Sequence, residues 1–446
     1  MPSARNTPVP DPVLHRAVAA SAIGNATEWF DYGIYAYGVA YISAALFPGS
    51  TAEATLLALA TFAISFLVRP LGGLFWGLLG DRYGRKSVLV FTLLLMAATT
   101  FCIGLVPSYA SIDFWAPVLL VVLRMIQGFS TGGEYSGAAT FMAEYSPDER
   151  RGFYGSFLEV GTLAGFSGGA LLMLGCTLLL GEARMHDWGW RLPFLVAAPL
   201  GMVGLYLRSR ISETPVFLEA EEAGRNEGSS LRDIKTLLRD HWQPLLTLGA
   251  LVVSLNVVNY TLLSYMPTYL QLRLGLSSSQ ALYVPIIGML SMIVFLPFAG
   301  ALSDRIGRKP LWRISLVGLL LCALPAYHLM ASGLWGAIAG FAVLGLLYVP
   351  QLATISATFP AMFPTPVRLA GLAIAYNVST SLFGGTAPAF NSWLIGRTGD
   401  VLMPAYVMMA ACAVGLAALP FLVETSGRSL RTVGQPETAT STDHNR

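Results

Sequence analysis

Long apolar stretches follow one another along the 446 residues, at roughly 16–47, 54–79, 87–108, 114–144, 152–180 and 190–208. After a polar gap, six more lie at 242–272, 280–302, 311–331, 334–363, 367–396 and 401–424. The runs are continuous instead of alternating, which selects helix over strand, and each can cross a hydrocarbon core of about 30 Å. Lipid leaves no partner for an open backbone, so helices are required there. The pattern predicts an all-α membrane protein of twelve transmembrane helices. Its segments are an N-terminal stretch 1–15, a six-helix bundle 16–208, a linker 209–241, a second bundle 242–424 and a tail 425–446.

The linker mixes Glu213, Glu219, Glu221, Glu222 and Glu227 with several arginines. Its stretch from Ser230 to Leu238 predicts a short amphipathic helix on the membrane surface. The tail is rich in Thr, Ser, Gly and Pro and is expected to be disordered. The polar start has no separate apolar core with a cleavage site, so the first helix is expected to serve as the insertion signal.

The two groups of six are related. G-x-L-x-D-R-x-G-R-K begins at Gly77 and again at Gly300, 223 residues later, each time at the end of an apolar run. A repeat of this kind predicts two pseudo-symmetric bundles and is a sequence signature of secondary transporters. The glycines permit a tight turn, and Asp81 and Asp304 are placed to face a helix N-terminus. With Arg82, Arg85, Arg305 and Arg308 they can form ion pairs present in only one of two arrangements, which makes these six residues a candidate conformational gate. The plainer alternative is that the arginines merely set topology.

Composition agrees with this reading: 54% of the residues are hydrophobic and 12% charged, with a mean hydropathy of +0.61. Of the 27 Lys and Arg residues, 21 fall on the side holding both termini, which predicts that side to be cytoplasmic. Only Arg184, Arg191, Arg273 and Arg397 fall on the other. The basic residues form short clusters without the long basic face that nucleic acid requires. Cys102, Cys176, Cys322 and Cys412 have no metal-ligand spacing and read as small packing residues. No nucleophile–base set, phosphate loop or metal cluster is present, so enzymatic activity is not expected.

The remaining charges lie inside the spans, where each costs roughly 2.5–3.5 kcal/mol on insertion scales and is a functional candidate by default. Glu28 and Asp31 stand one turn apart on the first helix, Arg69 on the second, Arg124 and Glu134 on the fourth, and Glu159 on the fifth. A carboxylate beside an arginine can be protonated from one side and released to the other. Glu28, Asp31, Glu134 and Glu159 are therefore candidates for carrying a coupled proton, with the proton as coupling ion and no cofactor. For each, a permanent ion pair that fixes packing is the competing reading. Arg69 and Arg124 are candidate substrate contacts, with Trp29, Tyr35, Asn256, Asn259, Tyr260, Tyr376 and Trp393. The second half offers neutral polar side chains in place of mid-span charges.

The repeated loop resembles that of the major facilitator superfamily, between helices 2 and 3 and again between helices 8 and 9. The stretch from Arg124 to Arg151 resembles a second signature of that superfamily. Gly132 to Gly161, with Gly24 to Tyr35, Phe66 to Gly73, Asp187 to Phe194 and Pro360 to Arg368, is similar to the metabolite:proton symporters. Within that family, 17–424 resembles the proline/glycine betaine:proton symporters, which share an acid at Glu159 where ketoglutarate-type carriers have a neutral residue. The resemblance implies alternating access by a monomer in a bacterial inner membrane, importing a small zwitterion with protons. A zwitterion could set its ammonium at Glu159 while an arginine holds its carboxylate. The rival reading is a symporter of an organic acid such as ketoglutarate, citrate or shikimate, clamped by Arg69 and Arg124. A sensor that kept the fold without transport is a third. The osmosensory members carry a long C-terminal coiled coil, and 425–446 shows no heptads, so gating by that device is not expected.

Overall fold

The computed structural model describes residues 11–83, 85–132, 134–209, 237–364, 367–428 and 430. The predicted linker helix, the N-terminal stretch through residue 10 and most of the tail lie outside the described residues. So do the side chains of Asp81, Arg82, Arg85 and Glu134.

Among the described residues there are no strands. The first six helical segments are α1 (Asp11–Leu46), α2 (Thr51–Leu67 continued by Arg69–Tyr83), α3 (Arg85–Leu105), α4 (Trp115–Ser130 and Glu134–Tyr145), α5 (Arg151–Leu180) and α6 (Arg191–Ser209). The second six are α7 (Trp242–Leu274), α8 (Ser278–Ile306), α9 (Arg308–Met330), α10 (Leu334–Thr358), α11 (368–398) and α12 (Met403–Phe421). Eight of the twelve are long and apolar enough to cross a membrane: α2, α4, α5, α7, α8, α9, α10 and α12. Glu28 and Asp31 dilute α1, and α11 is broken at Gly385 and Thr386.

Local sequence sets the starts and the breaks. Ser50 and Glu53 close a capping box at the start of α2, and Ser277 and Gln280 do the same for α8. α7 carries a π-helical turn at Tyr260–Tyr265 just ahead of Pro267, and α11 carries another at Thr380–Gly384 ahead of Pro388. Proline supplies no N–H to the preceding turn, and a wider turn is one way for the backbone to adjust. α4 is interrupted between Ser130 and Glu134, where the Thr131 carbonyl accepts from Arg69 and the Gly132 carbonyl from Asn377 of α11.

Small residues bring the helices together. A Cβ on Gly128 of α4 would lie 1.7 Å from the Ser65 carbonyl oxygen, so only glycine allows that contact with α2. α5 occupies the centre of the molecule: it packs on α1 within its own half and on α8 of the other half. α2 meets α11 on the opposite flank of the same interface.

Candidate functional site

At mid-depth the two halves meet around a small cavity. The first half contributes Trp29 from α1, Tyr135 from α4 and Glu159 and Thr162 from α5. The second contributes Leu255, Asn256 and Asn259 from α7, Tyr348, Leu352 and Ile355 from α10, and Tyr376 from α11. Glu159 is the one formally charged side chain among the described lining residues. Its Oε1 accepts the Tyr135 hydroxyl at 2.5 Å, and Tyr135 stacks on Tyr376 with ring centroids 4.6 Å apart.

Asn25 builds the wall on the first-half side. Its Nδ2 donates to the Leu158 carbonyl and to Thr162 Oγ1, at 2.9 and 2.6 Å, which ties α1 to α5. Its Oδ1 accepts the Trp29 indole N–H at 3.1 Å, turning the polar edge of that ring toward Asn25. On the far wall the Tyr348 hydroxyl lies 3.2 Å from both the Leu255 carbonyl and Asn259 Oδ1, and Asn256 Nδ2 donates to Thr380 Oγ1 at 2.9 Å.

Two buried charge networks lie beside the cavity and not on it. Arg69 Nη2 pairs with Glu28 Oε1 at 2.8 Å, with the guanidinium over the rings of Phe66 and Tyr32. In the second, Arg124 Nη1 donates to Gln127 Oε1, Gln127 Nε2 to Thr100 Oγ1, and Thr100 Oγ1 to Asp31 Oδ2. Asp31 and Arg124 are therefore joined through two neutral side chains, with no direct ion pair between them. Arg124 lies 4.0 Å from the centre of the Tyr35 ring, and its Nε and Nη2 have no partner among the described residues. The Tyr35 hydroxyl donates to the Ala58 carbonyl.

Both ends of the interface are bridged. Near the repeated loops, Asp304 accepts the backbone N–H groups of Gly152 and Phe153 at the start of α5, at 2.8 and 2.9 Å, and also Arg308 Nη2 at 3.0 Å. This aspartate of the second half thus caps a helix of the first, where the dipole favours negative charge. Arg368 pairs with Glu144 across the same seam at 3.1 Å. Glu424 accepts from the backbone of Arg308 and Lys309, both at 3.0 Å. Arg305 is exposed. At the other end, Glu182 Oε2 accepts Tyr41 from the first half and Ser278 from the second.

The residues singled out from sequence thus separate into groups. Trp29, Glu159, Asn256, Asn259 and Tyr376 line the cavity. Tyr260 packs beside them against Trp29, Phe62 and Phe66. Glu28, Asp31, Arg69, Arg124 and Tyr35 form the adjoining networks. Trp393 is elsewhere: it is 48% exposed and stacks on Phe390 at the outer surface. Its place on the outward side of α11 follows from helical spacing, which sets it away from Tyr376. Asp304 and Arg308 join the bridged end. Sequence reasoning missed Asn25, Thr100, Gln127 and Tyr135 as members of the site. The i, i+4 spacing of Asn25 and Trp29 and the i, i+3 spacing of Arg124 and Gln127 were the available signals.

A cavity between two related six-helix bundles, with buried ionisable groups beside it, is the arrangement expected of a secondary transporter. The chain belongs to the Major Facilitator Superfamily, whose profile matches residues 22–387 and 287–442. It is 43% identical to the proline/betaine transporter of Escherichia coli K12 over 435 residues, covering 95% of this chain and 86% of that one. It is 42% identical over 436 residues to the glycine betaine/proline/ectoine/pipecolic acid transporter OusA of Dickeya dadantii, with the same coverage. Among solved structures, the proton:xylose symporter XylE bound to 6-bromo-6-deoxy-D-glucose superposes with a TM-score of 0.75 at 18% identity. That match covers 95% of this chain and 99% of the other. A partially occluded inward open XylE from E. coli gives 0.70 at 18%, covering 94% and 100%. At that identity the likeness is one of fold.

Proposed function

We propose that this protein is a proton-coupled symporter that imports a small zwitterionic solute, proline, glycine betaine or a related osmolyte, by alternating access of its two halves. The observation that carries the reading is the interface cavity, whose charged lining residue is Glu159, set among Trp29, Tyr135, Tyr348 and Tyr376. A carboxylate with aromatic faces receives an ammonium pole by charge and by cation–π attraction. Relatives named for proline, betaine and ectoine support the same class. An organic anion is disfavoured, because Arg69 is paired with Glu28 and neither Arg69 nor Arg124 lines the cavity.

The proton is assigned to Asp31. When Asp31 gains a proton it no longer balances Arg124 through Thr100 and Gln127, and the change is felt on α1, α3 and α4 together. Asp304 and Glu144 then hold one end of the interface closed, and Glu182 the other, in turn. The end with the repeated decapeptide, and both termini, are read as cytoplasmic, which the charge asymmetry of the loops supports, and the protein as a monomer of a bacterial inner membrane.

Uptake of labelled proline, glycine betaine and ketoglutarate into proteoliposomes tests this. Proline or betaine is expected to accumulate only under an inward proton gradient. Uptake of ketoglutarate alone would overturn the zwitterion reading, and no uptake of any of the three would favour a sensor that kept the fold.

A further inference from the structure

Glu159 is buried in the cavity wall with a phenol as its hydrogen-bond partner and no basic side chain beside it. The two arginines at this depth are engaged elsewhere, Arg69 by Glu28 and Arg124 by Gln127. A carboxylate removed from water without an opposite charge is costly, and a cationic ligand would supply that charge. The rings around it are placed for such a ligand. Trp29 has its N–H committed to Asn25, and the Tyr135 and Tyr348 hydroxyls are committed to Glu159 and to the Leu255/Asn259 pair. What these rings offer a ligand is their faces.

The opposite pole of a zwitterion meets a different surface. The polar side chains that α7 gives this wall are two amides, and Asn256 Nδ2 is already bonded to Thr380. Asn259 has its Oδ1 bonded by Tyr348, and its Nδ2 has no partner among the described residues. A ligand carboxylate would therefore gain a neutral donor, which holds an anion less strongly than a guanidinium fork does.

We propose that the cavity selects its ligand by the cationic pole, through Glu159 and the rings of Trp29, Tyr135, Tyr348 and Tyr376, so that quaternary ammonium solutes without a carboxylate occupy the same site. The inference rests on the cavity being the transport site, not on which solute is imported.

The full chain in lipid nanodiscs, titrated calorimetrically with choline chloride and with sodium pivalate at fixed ionic strength, tests it directly. Choline has the ammonium without the carboxylate, and pivalate has the carboxylate on a similarly branched, uncharged body. Choline is expected to bind the wild-type protein, and pivalate to show no binding at hundredfold higher concentration, an estimate from the loss of the only charge contact. Glu159→Gln keeps an acceptor for Tyr135 and is expected to weaken choline about tenfold or more, with Glu159→Asp retaining part of the affinity. In proteoliposomes choline is expected to compete with labelled betaine. Binding of pivalate but not choline, or choline binding unchanged in Glu159→Gln, overturns the proposal. If betaine is not transported yet choline binds through Glu159, the functional reading falls and this one stands. If betaine is transported and choline does not bind, the reverse holds.

Discussion

The same helix position is used differently in the two halves. A shift of 224 residues takes Arg124 and Gln127 of α4 onto Tyr348 and Gln351 of α10. The two glutamines do similar work: Gln127 Nε2 donates to Thr100 on α3, and Gln351 Nε2 to Ser315 on α9, both at 2.8 Å. Their companions differ. Arg124 is a buried cation linked to a buried acid, whereas Tyr348 is a neutral phenol on the cavity wall. The buried acids and arginines at mid-depth, Glu28, Asp31, Arg69, Arg124 and Glu159, all lie in the first half. The second half supplies the neutral wall and the aspartate that caps α5. Among the described residues, one half therefore carries the buried charges at mid-depth, and the other supplies the neutral wall facing them.

The largest expected effect of breaking this division is in the first half. Arg69→Ala removes the guanidinium paired with Glu28 in the interior and is expected to cost about 3–5 kcal/mol, read as lost thermal stability in detergent. Arg69→Met combined with Glu28→Leu should recover most of that loss, since it removes both charges. If the single variant costs no more than a neutral hydrogen bond, the buried pair is not what distinguishes this half.

A comparable deletion in the second half should be milder. Gln351→Leu removes the hydrogen bond to Ser315, and such bonds within membrane bundles are worth about 0.6 kcal/mol on average and at most about 1.7. A loss as large as that of Arg69→Ala would erase the contrast between the halves.

The smallest effect is at the bridged end, outside the membrane-spanning segments. Partial burial pushes the Glu424 carboxyl up, but the backbone N–H groups of Arg308, Lys309, Ser426 and Thr425 outweigh it and hold the group below its usual range. A depressed carboxyl contributes stability that is full above its unfolded value and is lost as pH falls through the lowered one. Glu424→Gln is therefore expected to cost a little stability at neutral pH and to converge with the wild type at acid pH, which flattens the acid limb of the stability curve. An acid limb identical to that of the wild type would remove Glu424 from the contacts that matter there.

Much of this was legible in the chain itself. The observed helices begin and end within a few residues of the apolar runs, because lipid forces a continuous apolar helix and leaves the sequence little freedom. The in-span charges could be named for the same reason. Which of them face the cavity could not, because a one-residue rotation of a helix moves a side chain by about 100°. The pairing of Arg69 with Glu28 and the separation of Asp31 from Arg124 by Thr100 and Gln127 depend on the relative height of four helices. Trp393 shows the same limit: as an aromatic ring within a span it reads as a candidate substrate contact, and the turn of α11 sets it on the outer surface.

The division of labour is tested most directly by Asp31→Asn, assayed for both accumulation and exchange of the transported solute in proteoliposomes. With the proton on Asp31 and the solute's cationic pole at Glu159, the variant is expected to lose accumulation against a gradient while still exchanging solute across the membrane. Accumulation equal to that of the wild-type protein would contradict the account.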